Sequence, residues 1–208
     1  MTELSRIADS VGTDKGPNWH GFTDFYEKNL GHLRERKNLS ILELGVFKGS
    51  SLEMWYRFFG EEAKIFGVDI NPLGDLPVFS HKSVKFIQAD QCSEQQLLDV
   101  VLQSGEKAFD LIIDDGAHTP LSQLTSLKVL SNFVKPEGFY VLEDLHTSFW
   151  SDYTTNYNFS ALKFITEGSV EGMDLSKVRN RIETVTVFNR TPYIQHVTAI
   201  LTFKKSLV

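Results

Sequence analysis

The 208-residue sequence has one cysteine, Cys92, so no internal disulfide can form and a reducing compartment suits the composition. No segment approaches the roughly 18 apolar residues that a membrane-spanning helix needs. The first residues, Met1 to Arg6, lack a basic stretch followed by an apolar run, so no secretory leader is expected and the chain reads as cytoplasmic. An excess of basic residues is missing too: 21 Lys and Arg face 27 Asp and Glu, for a net charge of −6. That balance disfavours nucleic acid as a partner. There are no repeats and no low-complexity tracts. A 41% hydrophobic content and the absence of any linker indicate one domain, residues 1–208, with a core of ordinary size.

What is present is an alternation of elements. Leu4, Ile7, Ala8 and Val11 recur at helical spacing up to Gly12. The aperiodic Thr13–Gly21 segment reads as a loop, and a second helical stripe from Phe22 to Leu33 ends in Arg34-Glu35-Arg36-Lys37, a run expected to be a solvated helix end. Residues 1–38 thus form a helical cap on a core of residues 39–208. In that core Leu39–Gly45 is a strand entering a glycine turn, with Gly49 and Ser50 opening a helix, the start of a nucleotide-binding βαβ unit. A second strand, Ile65–Ile70, carries Asp69 at its tip, where such units hold a ribose. A third, Val84–Asp90, is followed by Ser93 and Gln96 as a capping box. Asp90 with Gln91 either cradles an adenine or ends that strand.

Two further strands end in acids with a histidine just beyond: Phe109 to Asp114-Asp115-Gly116-Ala117-His118, and Phe139 to Glu143-Asp144-Leu145-His146. Thr119-Pro120 opens the helix between them. Two alternating runs, Ile182–Phe188 and Ile194–Phe203, joined by a turn at Asn189–Pro192, close the chain as an antiparallel hairpin. The expected fold is an α/β three-layer sandwich: a Rossmann-like, mostly parallel seven-stranded sheet with an antiparallel C-terminal hairpin. Ligands gather outside the carboxyl ends of parallel strands, so the two acidic tips should converge on one site. The plain alternative for Asp114 and Asp115 is complementing the dipole of the helix that follows them. Asp114 either orients a cofactor or caps a turn.

At this point the sequence resembles a known family, the class I S-adenosylmethionine-dependent methyltransferases. Glu43-Leu44-Gly45-Val46-Phe47-Lys48-Gly49 resembles their first motif, although the commoner form has glycine at the place of Phe47, and Asp69 resembles the acid that holds the cofactor ribose. Asp114–His118, Glu143-Asp144 and Thr147–Trp150 narrow the resemblance to metal-dependent sugar O-methyltransferases of natural-product biosynthesis. The Thr13-Asp14-Lys15-Gly16 loop is similar to a segment those enzymes place near the site. The resemblance implies S-adenosylmethionine bound around Glu43, Gly45, Gly49, Ser50, Asp69, Asp90, Gln91 and Asp114. It further implies Mg²⁺ on Asp115, Glu143 and Asp144, and His118 as general base. The acceptor would be a small, glycosylated molecule; Trp19, His20, His146 and Trp150 are its candidate contacts, and the sequence leaves open whether the chain is a monomer or a homo-oligomer. His32, His81 and His196 fall outside any constellation. Two other enzyme classes and one non-enzymatic role share the pattern in part: a nicotinamide-dependent dehydrogenase, an Fe(II)-type hydroxylase and a degenerate binding domain. The first lacks its full Gly-x-Gly-x-x-Gly turn here, and the intact acidic set argues against the last.

Overall fold

A computed structural model describes residues 1–190 and 195–205. The N-terminal cap contains helices α1 (Glu3–Val11) and α2 (Thr23–Leu30), the latter continued by a 3₁₀ turn at Gly31–Glu35. Five parallel strands follow: β1 (Ser40–Leu44), β2 (Lys64–Asp69), β3 (Val84–Gln88), β4 (Phe109–Asp114) and β5 (Val134–Leu142). The helices α3 (Ser50–Phe59), α4 (Glu94–Ser104) and α5 (Pro120–Leu130) connect β1 to β2, β3 to β4 and β4 to β5, and a 3₁₀ turn at Pro77–Ser80 lies between β2 and β3. Short helices α6 (Ala161–Glu167) and α7 (Ser176–Arg181) precede β6 (Ile182–Arg190) and β7 (Gln195–Phe203). Strand order is β3-β2-β1-β4-β5-β7-β6, and only the contacts of β7 with β5 and β6 are antiparallel. The expected seven-stranded sheet and its reversed strand are therefore present. Of the expected turn at Asn189–Pro192, Thr191 and Pro192 lie outside the described residues, as does Ile194.

Each strand of the sheet centre is buried on both faces, which is why these segments read as continuous apolar runs. Alternation then sorts the side chains. Leu42, Leu44 and Ile112 pack with Leu97 of α4 and Leu124 of α5, whereas Ile41, Leu111 and Ile113 pack with Leu4, Tyr26 and Trp55 of the cap and α3. By the same period Glu43 must point to the cap side and Asp114 to the α5 side. At the helix starts, Ser93 accepts a hydrogen bond from Gln96 N as expected, but Gln96 Oε1 accepts from Asp90 N, so the reciprocal half of the capping box is used to fix the tip of β3. Thr119 caps α5 through Ser122 N, with Pro120 in the first turn.

The charge run after α2 differs from its expected role. Arg36 donates to Asp110 Oδ1 at 3.0 Å and to the Glu137 carbonyl at 3.0 Å, and Arg34 pairs with Glu3. Two of these charges therefore fasten the cap to the core and to itself. No helix among the described residues is long and apolar enough to cross a membrane.

Candidate active site

The site begins where β1 stops. Gly45 N donates to the Val68 carbonyl, and the next two amides, Val46 N and Phe47 N, donate to Asp69 Oδ2 at 3.0 and 3.3 Å. Asn71 supplies two donors to Asp69 Oδ1 at 2.9 and 3.1 Å. Burial alone would raise this carboxyl, but these donors outweigh it and hold Asp69 below the usual range. Gly45 is obligatory: its φ is +87°, and a Cβ there would lie 2.0 Å from the Asp115 carbonyl oxygen. The glycine turn and the acidic tip of β4 are thus pressed together backbone to backbone. Phe47 adopts a left-handed φ of +48° where a glycine would be unstrained, and 77% of its surface is exposed.

The acidic tips of β4 and β5 converge on a buried cation that sequence reasoning placed only near the site. The loop after α1 folds back through His20 N to Asp14 O (2.9 Å) and Phe22 N to Lys15 O (3.0 Å), which drives the wholly buried Lys15 side chain under the sheet end. Its ammonium donates to Glu143 Oε2 at 2.8 Å and to Asp115 Oδ2, and lies 3.7 Å from Glu43 Oε1. Burial would lower the Lys15 pKa, yet the three carboxylates carry it well above its ordinary value. One ammonium does not balance three carboxylates. Burial raises Glu43 to about 7 against the pull of Lys15, and burial together with the neighbouring Asp115 raises Glu143 well above its usual range. Asp115 is also raised by burial.

Around this pair, His118 and Asp144 both adopt left-handed backbone, φ +55° and +52°, a strain typical of functional sites. His118 Nε2 lies 3.4 Å from Asp144 Oδ2 and 3.8 Å from Asp115 Oδ1. Ligand atoms of Asp115, His118 and Asp144 fall within 4.8 Å of one another. Glu143, whose Oε2 accepts from Lys15, is not in that cluster. Even so, Glu143 Oε1 is buried without a hydrogen-bond partner among the described residues. Unpartnered carboxylate oxygens beside an excess of negative charge fit a hard divalent cation.

A cleft of about 750 Å³ runs from this cluster to the glycine turn. Of the expected cofactor residues, Gly45, Ser50, Asp69, Asp90 and Gln91 line it, together with Asp115, His118 and Asp144. Glu43, Gly49 and Asp114 do not. Glu43 accepts from Ser51 at 3.1 Å on the cap side, and Gly49 sits behind the turn, its absent Cβ aimed at Val78. Asp114 turns to α5, where the hydroxyls of Ser126 and Tyr140 and the Gln91 amide donate to it, and burial still raises it to about 6. Gln91 also accepts from Ala117 N, so it braces the β4 tip from the cleft wall.

The expected acceptor contacts gather on the far side of Asp144. His20 stacks on His196 (centroids 4.4 Å), and His146 meets Trp150 edge-on at 4.7 Å. Trp19 is 68% exposed and joins no aromatic pair among the described residues. His196, set aside in the sequence, belongs to this group. A strand-end histidine carries no local signal of its partners.

No family model matches the chain. It is 35% identical over 158 residues to the 8-demethyl-8-(2-methoxy-alpha-L-rhamnosyl)-tetracenomycin-C 3'-O-methyltransferase of Streptomyces olivaceus, covering 73% of this chain and 39% of that protein. It is 33% identical over 157 residues to the mycinamicin VI 2''-O-methyltransferase of Micromonospora griseorubida, covering 71% and 37%. The chain spans about two-fifths of the length of the curated relatives it matches. A solved structure of the MycE methyltransferase in complex with Mg and SAH superposes with a TM-score of 0.82 at 24% identity, over 98% of this chain and 54% of that one. This is the class I S-adenosylmethionine-dependent methyltransferase fold. The methyltransferase fold accounts for the reversed β7 and for the glycine turn over an acid at the second strand. The curated homologues are sugar O-methyltransferases, and neither the nicotinamide nor the hydroxylase alternative has a counterpart among them.

Proposed function

We propose that the chain is a Mg²⁺-dependent O-methyltransferase that uses S-adenosylmethionine to methylate a hydroxyl of a sugar or glycosylated natural product. The observation that carries this reading is the shared cleft: the Gly45–Asp69 turn and the Asp115–His118–Asp144 cluster face one cavity. Methyl transfer from a sulfonium is an in-line displacement, so alignment of donor and acceptor is the main demand on the protein.

In this reading Gly45 and its turn admit the donor against bare backbone. Asp69 is pre-set by four N–H groups and remains ionised to accept from the ribose. Asp115 and Asp144 would hold the ion, with the free oxygen of Glu143 directed to the same region, and the Lys15 ammonium offsets part of the burial that raises Asp115 and Glu143. When bound, the ion supplies Lewis acidity that makes a coordinated sugar hydroxyl easier to deprotonate. His118 presents Nε2 to the two carboxylates, so Nε2 takes the proton of a hydroxyl lodged there. Such general-base assistance is typically worth on the order of 10²–10⁴-fold.

The test pairs binding with turnover. Calorimetric titration with S-adenosylmethionine should give one site, and transfer to a panel of glycosides with free sugar hydroxyls should need Mg²⁺ and stop in chelator. His118→Ala should lower kcat by roughly 10²-fold or more and leave S-adenosylmethionine affinity within about threefold. Full turnover in chelator would remove the metal from the reading, and preferential binding of NAD would overturn it.

A further inference from the structure

Asp144 faces two ways. Its Oδ2 turns to His118 at the cleft, whereas Oδ1 lies 3.8 Å from His146 Nδ1 and has no hydrogen-bond partner among the described residues. On this second side His20 and His196 stack with ring centroids 4.4 Å apart and planes 24° apart. A ring nitrogen of each histidine and a carboxylate oxygen of Asp144 lie within 4.8 Å of one another. Nδ1 of both His20 and His196 is buried without a partner among the described residues. His20, His196 and Asp144, each with an unpartnered polar atom, therefore form a cluster outside the set used for methyl transfer, except that Asp144 is common to both.

We propose that His20, His196 and Asp144 form a second metal site, one that takes a borderline transition ion such as Zn²⁺ or Co²⁺. The ligand chemistry separates it from the neighbouring cluster. Carboxylate oxygens suit a hard ion, while two imidazoles and a carboxylate suit borderline ions and are poor ligands for Mg²⁺. His146 Nδ1 accepts from Val197 N at 3.4 Å, which occupies that nitrogen and leaves His146 beside the site, not in it. A tetrahedral ion with bonds of about 2.0–2.1 Å needs its ligand atoms drawn together. Both histidines are half-buried, His20 in a loop and His196 in the first residues of β7, so side-chain rotation suffices. The proposal does not depend on the methyl-transfer reading: a chain that bound no S-adenosylmethionine would still be expected to bind this ion.

The experiment is a Co²⁺ titration of the chain, without a histidine tag and stripped of metal, followed by visible absorption and reversed by Zn²⁺ competition. One equivalent of Co²⁺ should develop ligand-field bands. His20→Ala and His196→Ala should each weaken binding by about tenfold or more, and His118→Ala should leave it within about threefold. His196→Gln, which keeps the side-chain volume, should repeat the loss, and melting curves in chelator that match the parent show that a lost signal is not unfolding. Bands that vanish in His118→Ala but persist in His20→Ala and His196→Ala would place the ion in the other cluster and overturn the proposal. So would the absence of binding at about 1 mM Co²⁺, a ceiling equivalent to only about 4 kcal/mol of affinity.

Discussion

The two ends of β4 carry the same residue type in opposite conditions. At the start of the strand Asp110 accepts from Ser40 N at 2.9 Å, Arg36 at 3.0 Å and Lys135 at 2.7 Å. Burial would raise this carboxyl, but the three donors outweigh it and hold it below the usual range. At the other end burial lifts Asp114 to about 6 and raises Asp115, and the facing Glu43 reaches about 7. Four unpartnered side chains among the described residues, Glu43, Glu143, Asp144 and His118, lie here, whereas left-handed backbone occurs at both ends, at Phe47, His118 and Asp144 here and at Asn38 and Glu137 beside Asp110. One end is satisfied and lends stability. The other carries uncompensated charge and unpartnered polar atoms, which a site tolerates when ligands complete it.

The comparison can be broken hardest at Lys15. Lys15→Met leaves Asp115, Glu143 and Glu43 without their buried counter-charge, and removing one partner of such a set costs roughly 3–5 kcal/mol. Urea unfolding in chelator should show a loss of that size, with part of it restored by Mg²⁺; a change below about 1 kcal/mol would mean the carboxylates are already protonated and the ammonium is dispensable. Next comes Gly45→Ala, which forces a side chain into positive φ and against the Asp115 carbonyl. A left-handed residue costs about 1–2 kcal/mol before any overlap, and S-adenosylmethionine affinity should fall with it, because both the turn and the β4 tip must shift.

At the satisfied end Asp110→Asn should cost about 1–2 kcal/mol, since its charged donors are half-exposed and partly screened. It should leave methyl transfer unchanged. The sign of the pH effect follows from the lowered pKa: the contribution is present above the unfolded value of about 3.9 and is lost as pH falls through the lower folded value. The parent should therefore lose urea resistance in that acid window more steeply than Asp110→Asn. Equal slopes would show that Asp110 is not held below its ordinary range.

What the sequence exposes, and what it hides, follows the same division. The strands, the glycine turn, the Thr119 cap and the reversed β7 are legible because period, turn chemistry and capping are local. The acidic tips at Asp115 and Asp144 are legible because a carboxylate ending an apolar strand is a local anomaly. Lys15 is not, since its partners are 100 and 128 residues away and nothing in a Thr-Asp-Lys-Gly loop distinguishes a buried ammonium from a solvated one. Arg36 and His196 were hidden for the same reason. Glu43 illustrates a subtler limit: its motif resembles a cofactor grip, but strand alternation turns its side chain to the cap, where it helps to balance Lys15.

The smallest effect tests whether the strain at the charged end is used. Phe47 has a backbone suited to glycine and a ring lining the mouth of the cleft, beneath the Lys48 ammonium at 5.2 Å. Phe47→Gly relieves about 1–2 kcal/mol of left-handed strain and gives back about 0.5–1 kcal/mol in chain entropy. Stability should therefore stay within about 1.5 kcal/mol of the parent, on the favourable side. If the ring serves only to fill surface, S-adenosylmethionine affinity will also be unchanged. A ring kept in a strained turn and held largely in solvent is better placed to cover a bound donor, so affinity should fall by about three- to tenfold, equivalent to roughly 0.7–1.4 kcal/mol, a size that fits burial of part of one aromatic face. Loss of affinity without loss of stability would make Phe47 the counterpart of Asp110: one residue tolerated for what it binds, the other kept for what it holds together.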